Sequence, residues 1–402
     1  MKLKIGVFFG GNSVEHEVSI ITAIQAIENI NKDKYDIIPI YISKDNKMYC
    51  GNLIGDIKQY KNIDNLIEKS IQVTLTKKDD KVVLLKCNKK FYENNIYDYI
   101  DIAFPIVHGT NVEDGTLQGY LKMFSIPYVG CDVLSSAVGM DKYVSKCLLK
   151  LNNIPVLDCK LFSLSDYNKD INSIINTIEN DISYPVIVKP VNLGSSVGIK
   201  IAKNRDVLEE AIIDAFSYST KILVEKAILN LKEVNCSVLG DYEEAIASEC
   251  EEPIKTDEIL SYQDKYISGS KNSAVKGTSN QSMNAGVLKL PADITSDVKT
   301  RIQELALKTF HTLGCSGVIR IDFIIDMDTN EIYVNEVNTI PGSLSFHLWK
   351  ATNLDYTSLL DKLINLSLKR NREEKNITFS FDSNILAGYS EGGLKGFKNK
   401  KI

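Results

Sequence analysis

The chain has 402 residues, 44% of them hydrophobic and 25% charged, which is enough to bury a sizeable core and predicts two or three domains. Its formal net charge is -5, and no Lys/Arg-rich block is interleaved with aromatic residues, which argues against nucleic acid or an anionic membrane as a partner. No segment is apolar enough to span a bilayer, no secretory signal is recognisable, and the cysteines form no C-x-x-C pair, so we expect a cytoplasmic protein with reduced thiols that acts on small molecules.

The first part of the chain alternates apolar runs with helical patterns. The apolar runs Lys4–Phe9, Asp36–Ile42 and Ile100–Val107 predict strands, and Val18–Asn29 predicts a helix. Strands that feed crossover helices are typical of a small open parallel sheet. We assign residues 1–125 to an N-terminal α/β domain.

The middle of the chain predicts two strands around a flexible loop. The strands are Tyr184–Val191 and Ile199–Ala202, and the loop between them, Gly194–Gly198, contains only Gly, Ser and Val. A helix and the strand Lys221–Glu225 complete this smaller unit. We therefore predict a central domain over residues 126–225.

The last predicted domain covers residues 226–370. Its clearest elements are the strands Val318–Ile325 and Glu331–Asn338, which are separated by a turn. Residues 262–286 contain a polar segment rich in Gly, Ser, Asn and Lys without periodicity, which predicts a mobile lid. Residues 371–402 form a charged, Gly-rich tail.

Four polar residues on these two strands form the most specific candidate site. Side chains at positions i and i+2 share one face of a strand, so Arg320 lies beside Asp322, and Glu336 lies beside Asn338. Carboxylate and amide oxygens suit magnesium, a hard cation that binds oxygen ligands and phosphates. A solvated polar face is the alternative, but the second strand leads directly into Thr339–Gly342, a turn whose backbone can approach a ligand.

Other segments suggest a phosphate site. Lys189 leaves a strand and supplies a point charge, and the following loop Gly194–Gly198 supplies backbone N–H donors. Taken alone, this loop would be an ordinary hairpin, Lys142 a solvated lysine at a helix start, and His108 a satisfied histidine at a strand end.

Together these segments resemble the D-alanine:D-alanine ligases over about residues 4–368. The motifs, in chain order, are Gly10-Gly11-x-Ser13-x-Glu15-x-Glu17-Val18-Ser19, His108-Gly109…Glu113-Asp114-Gly115, Met140-Asp141-Lys142, Lys189-Pro190…Gly194-Ser195-Ser196-Val197-Gly198, Lys265-Tyr266, Arg320-Ile321-Asp322 and Glu336-x-Asn338-Thr339-x-Pro341-Gly342. The resemblance implies an α/β ATP-grasp ligase of three domains, with an N-terminal open parallel-sheet domain and ATP held between the central and C-terminal domains. It also implies a homodimer that joins two D-alanine molecules through an acyl phosphate, giving D-alanyl-D-alanine for peptidoglycan precursors.

The resemblance assigns roles residue by residue. ATP would contact Lys142, Lys189, Ser196, Glu225, Lys226, Ile228, Glu233 and Lys265. Two magnesium ions, for which manganese could substitute, would be held by Asp322, Glu336 and Asn338. The catalytic set would be Glu15, which binds the first substrate's ammonium, with Ser195, Tyr266, Arg320 and the backbone of Gly342. Substrates would also contact His108, His347 and Leu348. Independently of the resemblance, Glu15 could form a helix-capping box with Asn12.

Two departures from the family pattern concern the loops. Val112 stands where the family usually has glycine, and His347 stands where it has a serine that holds the acceptor carboxylate. The acceptor therefore remains open between D-alanine, D-serine, another D-amino acid and D-lactate, and His347 could instead pack in the core. A related ATP-grasp ligase and a nucleotide-binding regulator without activity are the alternatives, and Arg320, Lys265 and Tyr266 argue against the regulator.

Overall fold

The computed structural model describes residues 2–88, 94–254 and 288–380. The predicted lid, with Lys265 and Tyr266, lies outside these residues, as do residues 381–402 of the tail. The strands are β1 (Leu3–Gly10), β2 (Tyr35–Ile42), β3 (Met48–Cys50), β4 (Ile71–Lys78), β5 (Lys81–Lys86), β6 (Ile96–Ile100), β7 (Ile102–Pro105), β8 (Cys159–Ser163), β9 (Val186–Pro190), β10 (Lys200–Ala202), β11 (Lys221–Lys226), β12 (Leu231–Gly240), β13 (Ala245–Pro253), β14 (Leu288–Lys289), β15 (Gly317–Asp326) and β16 (Ile332–Asn338).

The helices follow the same chain order. They are α1 (His16–Asn29), α2 (Ile63–Glu68), α3 (Thr116–Met123), α4 (Val133–Met140), α5 (Lys142–Leu151), α6 (Leu164–Lys169), α7 (Ile171–Asp181), α8 (Arg205–Phe216), α9 (Ser296–Thr312), α10 (Phe346–Ala351) and α11 (Tyr356–Glu374). Ile57–Lys61 and Gly342–Ser345 are short 3-10 helices. In the described ranges no helix is both long and apolar enough to cross a membrane.

The N-terminal sheet has the strand order β6-β5-β4-β3-β2-β1-β7. Strand β1 lies between β2 and β7 and pairs with both in parallel, which confirms the predicted parallel core. A central parallel strand is covered on both faces, and this explains why β1 is apolar and buried from Ile5 onward. The antiparallel strands β3 to β6 extend the sheet beyond the prediction, and the run Ile100–Val107 is divided between the end of β6 and β7.

The second sheet has the order β10-β9-β11-β8 and confirms the predicted arrangement of strand, loop and strand. Helices α7 and α8 cover it, and their apolar side chains form its core with those of β9 and β11. The helix start expected at Lys142 is confirmed: Met140 ends α4, and α5 begins at Lys142 because the Asp141 side chain accepts hydrogen bonds from the Tyr143 and Val144 N–H groups.

The third sheet has the order β14-β13-β12-β15-β16, with antiparallel pairing throughout. Helix α9 packs its apolar side chains against this sheet. The final helix, α11, returns to the N-terminal sheet, where Leu359, Leu363 and Ile364 join the core that contains Ile5 and Phe8. The chain thus brings β15 and β16 close to the start of α1. The predicted domain boundaries themselves stay a prediction.

Candidate active site

A cavity lies where the C-terminal end of β1 meets the ends of β15 and β16. The predicted site residues that line it are Glu15, His108, Arg320, Glu336, Asn338, Gly342 and His347. They come from three separate parts of the sequence, and the fold brings them to one wall. The cavity is therefore the candidate active site.

The polar residues of β15 and β16 lie directly opposite one another. Arg320 pairs with Asn338 and Asp322 pairs with Glu336 in the strand register. The Arg320 guanidinium donates to both oxygens of Asp322, at 2.7 and 2.9 Å, and the Asn338 amide donates to Asp322 at 3.1 Å. Opposite residues of an antiparallel pair project from the same face, so the four side chains form one polar patch.

This patch fits a magnesium ion that also binds a phosphate. Asp322 and Glu336 offer carboxylate oxygens and Asn338 offers an amide oxygen, the hard donors that magnesium prefers. Within the described ranges no cluster of three or more His, Cys, Asp or Glu residues could by itself hold a metal. Magnesium commonly takes one or two carboxylates and completes its coordination with phosphate and water, so two carboxylates suffice.

The predicted phosphate-binding lysines are held in ion pairs. Lys142 donates to Glu336 at 2.8 Å and to the Leu193 carbonyl at 2.7 Å. Lys189 pairs with Glu225 and donates to Asn335 at 3.1 Å. Both ammonium groups thus donate hydrogen bonds to oxygen atoms, and they could donate to phosphate oxygens in the same way.

Sequence reasoning missed Lys146. It lies one turn after Lys142 on α5, and its ammonium is 2.7 Å from Glu225. Burial alone would raise the pKa of Glu225, but the charges of Lys189 and Lys146 outweigh burial and lower this pKa to about 2. Glu225 is therefore a carboxylate between two buried lysines.

The remaining residues of the predicted adenine and ribose site lie farther along. Lys226 ends β11 and donates to the Tyr184 carbonyl at 2.7 Å, Ile228 is half-buried after that strand, and Glu233 lies on β12. Lys226, Ile228 and Glu233 are not among the described residues that line the cavity. The structure does not bring them to the wall that carries Arg320 and Glu336.

Glu15 is positioned by the Gly/Ser loop of the second sheet. The Ser195 hydroxyl donates to Glu15, and a Cβ on Gly194 would lie only 2.7 Å from the same carboxylate, so a side chain there would displace Glu15 from this position. Ser196 follows in this loop with φ of 59°. The proposed capping box of Asn12 and Glu15 is wrong, because Glu15 is itself the N-cap of α1 and makes no side-chain capping bond.

Two buried groups connect the N-terminal domain to the turn after β16. Glu113 accepts hydrogen bonds from the Ile340 and Gly109 N–H groups, at 2.8 and 3.1 Å, and from the Thr339 hydroxyl at 3.2 Å. Burial, with the nearby Glu15 charge, raises the pKa of Glu113 to about 8 despite these bonds. His108 lies 3.1 Å from the Thr22 hydroxyl, and burial lowers its pKa to about 4. Glu113 belongs to the His108 motif, which was the only sequence signal for it.

Val112 packs tightly in the loop that carries His108. It is buried, and a Cβ on Gly11 would lie 2.5 Å from its Cγ1 atom. The valine therefore fills space directly over the glycine turn that follows β1.

The segment that carries His347 is held in an unusual backbone conformation. Ser343, Leu344 and Ser345 have φ values of 50°, 51° and 51°, a region that non-glycine residues rarely adopt. The Thr22 hydroxyl of α1 accepts from the Ser343 N–H at 3.1 Å, and the Ser343 hydroxyl donates to Gln25 at 2.7 Å. These contacts fix the start of α10.

His347 lines the cavity and contacts a buried acid that sequence reasoning missed. Its Nε2 atom lies 2.5 Å from Glu251, whose other oxygen accepts from the Asn235 amide at 3.0 Å. Leu348 is fully buried and is not among the described residues that line the cavity, so its contact with a substrate stays a prediction. His347 is part of the cavity lining, and its contact with a substrate stays a prediction.

Comparison with known proteins shows similarity along the chain. Residues 4–131 match the family model described as D-ala D-ala ligase N-terminus, and residues 148–365 match the model described as D-ala D-ala ligase C-terminus. A D-alanine--D-alanine ligase from Thermosipho melanesiensis is 40% identical, covering 96% of this chain and 98% of the relative.

Solved structures show the same similarity of fold. The D-alanine-D-alanine ligase from Coxiella burnetii has a TM-score of 0.76 at 30% identity, covering 93% of this chain and 96% of that one. The VanG D-Ala:D-Ser ligase from Enterococcus faecalis has a TM-score of 0.74 at 33% identity, covering 91% and 100%. The predicted fold class is confirmed.

Proposed function

The chain belongs to the D-alanine--D-alanine ligase family, and from this premise we propose that it uses ATP to join two D-alanine molecules into D-alanyl-D-alanine, a building block of peptidoglycan precursors. The reaction forms ADP and inorganic phosphate. Its dependence on ATP follows from the chemistry, because a carboxylate resists attack by an amine until it is activated.

One observation carries the proposal. Arg320, Asn338 and Glu336 line the same cavity as Glu15, and Asp322 lies opposite Glu336 in the strand register. The site therefore combines three kinds of group. Glu15 is an acid that can bind an ammonium, the polar residues of β15 and β16 offer oxygen ligands for a metal, and the Arg320 guanidinium can stabilise a developing oxyanion. An amino acid and the terminal phosphate of ATP require this combination.

In the first step, a carboxylate oxygen of the first D-alanine attacks the γ-phosphorus of ATP, and ADP leaves as an acyl phosphate forms. Glu15, oriented by Ser195, binds the ammonium of this substrate. Lys142 and Lys189 neutralise the phosphates, so catalysis rests mainly on placement and charge. Magnesium, held by Asp322, Glu336 and Asn338, would supply further charge neutralisation when bound.

In the second step, the amine of the second amino acid attacks the acyl carbon. The carbonyl oxygen becomes an oxyanion, which Arg320 and the Gly342 N–H would stabilise. Phosphate then leaves as the carbonyl re-forms and carries away the proton that the amine loses, and a peptide bond has replaced the acyl phosphate bond. Arg320 belongs to the cavity wall, as this role requires.

Nucleotide binding would bring phosphate oxygens to lysines that already have partners. Lys142 and Lys189 pair with Glu336 and Glu225 in the described structure, and each ammonium has three donors, so a phosphate oxygen can take a further donor or replace a carboxylate. Replacement at Lys142 would free Glu336 to hold magnesium, while Glu225 would keep Lys146 as its counter-ion.

Further assignments rest on the family resemblance. We propose two magnesium ions, replaceable by manganese, a contact of ATP with Lys265, and a hydrogen-bonded set of Glu15, Ser195 and Tyr266, of which Lys265 and Tyr266 lie outside the described residues. A homodimer in the cytoplasm, where ATP is available, is the proposed assembly and location. Lys226, Ile228 and Glu233 would line the adenine and ribose site, with Ser196 on the phosphates.

A phosphate-release assay tests the proposal. Release should require ATP, magnesium and D-alanine, and mass spectrometry should identify D-alanyl-D-alanine. L-alanine is the matched control and should support little release. ATP binding without phosphate release under any of these conditions would favour the non-catalytic regulator.

A second candidate acceptor is D-serine. The similarity to a D-Ala:D-Ser ligase favours it, and His347 in the cavity wall, where the family has serine, leaves the acceptor open. Equal concentrations of D-alanine, D-serine and D-lactate should be offered with labelled D-alanine as the first substrate. Predominant D-alanyl-D-serine would replace the main proposal with this one, and D-alanyl-D-lactate would indicate a hydroxy-acid acceptor.

A further inference from the structure

Glu251 is a carboxylate without any exposed surface, on β13. Burying a charge is costly unless hydrogen bonds compensate. Both oxygens are engaged, one by His347 Nε2 at 2.5 Å and the other by the Asn235 amide at 3.0 Å. Burial would raise the pKa of Glu251, but the hydrogen bond and charge of His347, with the charge of Arg320, lower it. Glu251 is therefore ionised, and an ionised carboxylate only accepts hydrogen bonds.

The contact with Glu251 determines which ring nitrogen of His347 is available for a further hydrogen bond. Since Glu251 accepts, Nε2 of His347 carries the hydrogen that points to it, and Nδ1 is the only other polar atom of the ring. Among the described residues, Nδ1 has no hydrogen-bond partner. The side chain is only 17% exposed and lines the cavity. A buried ring nitrogen without a protein partner at the wall of a cavity calls for a partner from outside the protein, either a ligand or water.

The strand register places His347 at one end of a polar row. Glu251, Asn235, Asp322 and Glu336 are consecutive cross-strand neighbours on β13, β12, β15 and β16. Neighbouring strands are about 4.8 Å apart, so Asp322 lies roughly 10 Å from Glu251 along this row. An extended dipeptide is about 7 Å long. The separation between the metal and phosphate end of the row and its His347 end is a little larger than that.

The reaction indicates which group of the substrates lies at the His347 end. The carboxylate of the first amino acid is consumed at the phosphate end, while the second amino acid keeps its carboxylate and extends away from that end. We propose that Glu251 is a positioning residue of the acceptor site, which orients His347 so that its imidazolium form donates from Nδ1 to the carboxylate of the acceptor amino acid. This inference rests on the proposed ligase function.

The Glu251→Gln variant tests the inference, since it removes the charge and keeps the shape. The Michaelis constant for the acceptor D-alanine should rise about tenfold, while kcat and the Michaelis constant for ATP change less than about twofold. Glu249→Gln is the matched control, because Glu249 lies on the same strand but pairs with Lys299 outside the cavity. Glu251→Asp should restore part of the acceptor affinity. An unchanged acceptor constant in folded Glu251→Gln would overturn the inference.

A double-mutant cycle separates positioning from a general structural effect. If Glu251 acts through His347, Glu251→Gln should raise the acceptor constant in wild type but hardly at all in a His347→Ser background. Equal increases in both backgrounds would contradict the inference. Wild-type synthesis of the dipeptide is measured first, because its absence would reject the proposed function and not the role of Glu251.

A measurement on the unmodified protein covers the case in which Glu251→Gln does not fold. The chain has four histidines, so nitrogen-15 NMR of labelled imidazoles is tractable, and the His347→Ser spectrum assigns the His347 signals. With ADP and magnesium present, saturating D-alanine should move the Nδ1 signal of His347 and leave Nε2 in its hydrogen-bonded position. An Nδ1 signal unaffected by D-alanine would overturn the inference.

Discussion

Asp322 and Glu336 face each other across the antiparallel pair β15 and β16, and each carboxylate is bound by a different cation. The Arg320 guanidinium holds Asp322, and the Lys142 ammonium holds Glu336. Two acids at this spacing would repel each other without such partners. Each carboxylate thus has a cationic partner of the protein, which the proposed magnesium ion would replace.

The Glu336→Gln variant should lose at least about a hundredfold in turnover and keep its fold. The substitution removes the charge of one proposed magnesium ligand, and metal stabilisation of a transferring phosphoryl group is worth several kcal/mol. Phosphate release measures the turnover, and thermal unfolding measures the fold. Glu331→Gln is the control, because Glu331 is exposed just before the same strand. Wild-type turnover in Glu336→Gln would eliminate the proposed metal site.

The Lys146→Met variant should lower the free energy of unfolding by about 2 kcal/mol. Removing one partner of a buried ion pair leaves a buried charge and typically costs about 3 to 5 kcal/mol, and Lys189 remains to offset part of this. Chemical denaturation measures the change. Lys150→Met provides the comparison, since Lys150 lies one turn along α5 and pairs with Asp158 at the surface. If both variants unfold like wild type, the buried cluster around Glu225 does not contribute as proposed.

Stability should depend on pH through Glu113. The pKa of this carboxyl is raised from 4.5 to about 8 in the folded protein, mainly by burial. Below pH 4.5 it is protonated in both states, whereas between 4.5 and 8 only the folded protein keeps the proton. Its contribution to stability therefore falls as pH rises through this window, by up to about 1.4 kcal/mol per pH unit.

Glu113→Gln should flatten this slope, because the amide does not titrate. The midpoint of thermal unfolding should be followed from pH 5 to pH 9 for wild type, Glu113→Gln and the exposed-site control Glu28→Gln. The control should follow wild type. A difference curve between wild type and Glu113→Gln that stays level over this range would contradict the raised pKa.

Strand periodicity explains how much of the site could be predicted. Arg320 and Asp322 had to share a face, as did Glu336 and Asn338, because side chains alternate along a strand. The register that sets Asp322 opposite Glu336 was not available from either strand alone. Antiparallel pairing through the short connection at Asp326–Asn330 supplies it.

Lys146 and Glu251 show what the sequence could not provide. Lys146 follows Lys142 on an amphipathic helix, and in the sequence it resembles any surface lysine. Only the fold shows that Glu225, on β11, packs against it. Glu251 belongs to the acidic run that includes Glu249 and Glu252, which is typical of a solvated strand. Its burial depends on α10 lying against β13, a contact between distant segments that no local pattern encodes.

His347→Ser should change the Michaelis constant for the acceptor by about tenfold, an interaction difference of roughly 1.4 kcal/mol, and hardly change that for ATP. The imidazole lines the cavity beside Arg320, whereas the proposed phosphate contacts, Lys142 and Lys189, belong to other elements. A serine hydroxyl is smaller and neutral, so the variant loses a charge-assisted contact with the acceptor carboxylate and gains room for a larger acceptor side chain.

The acceptor panel decides between charge and shape in the His347→Ser variant. If the imidazole mainly binds the carboxylate, D-alanine, D-serine and D-lactate should all weaken by a similar factor, since each presents the same carboxylate. If it mainly limits pocket size, D-serine should improve relative to D-alanine. His311→Ser, at the exposed end of α9, is the matched control and should leave all constants unchanged. An unaltered profile in folded His347→Ser would remove His347 from the acceptor site, and the source of specificity would then have to lie in other residues of the cavity.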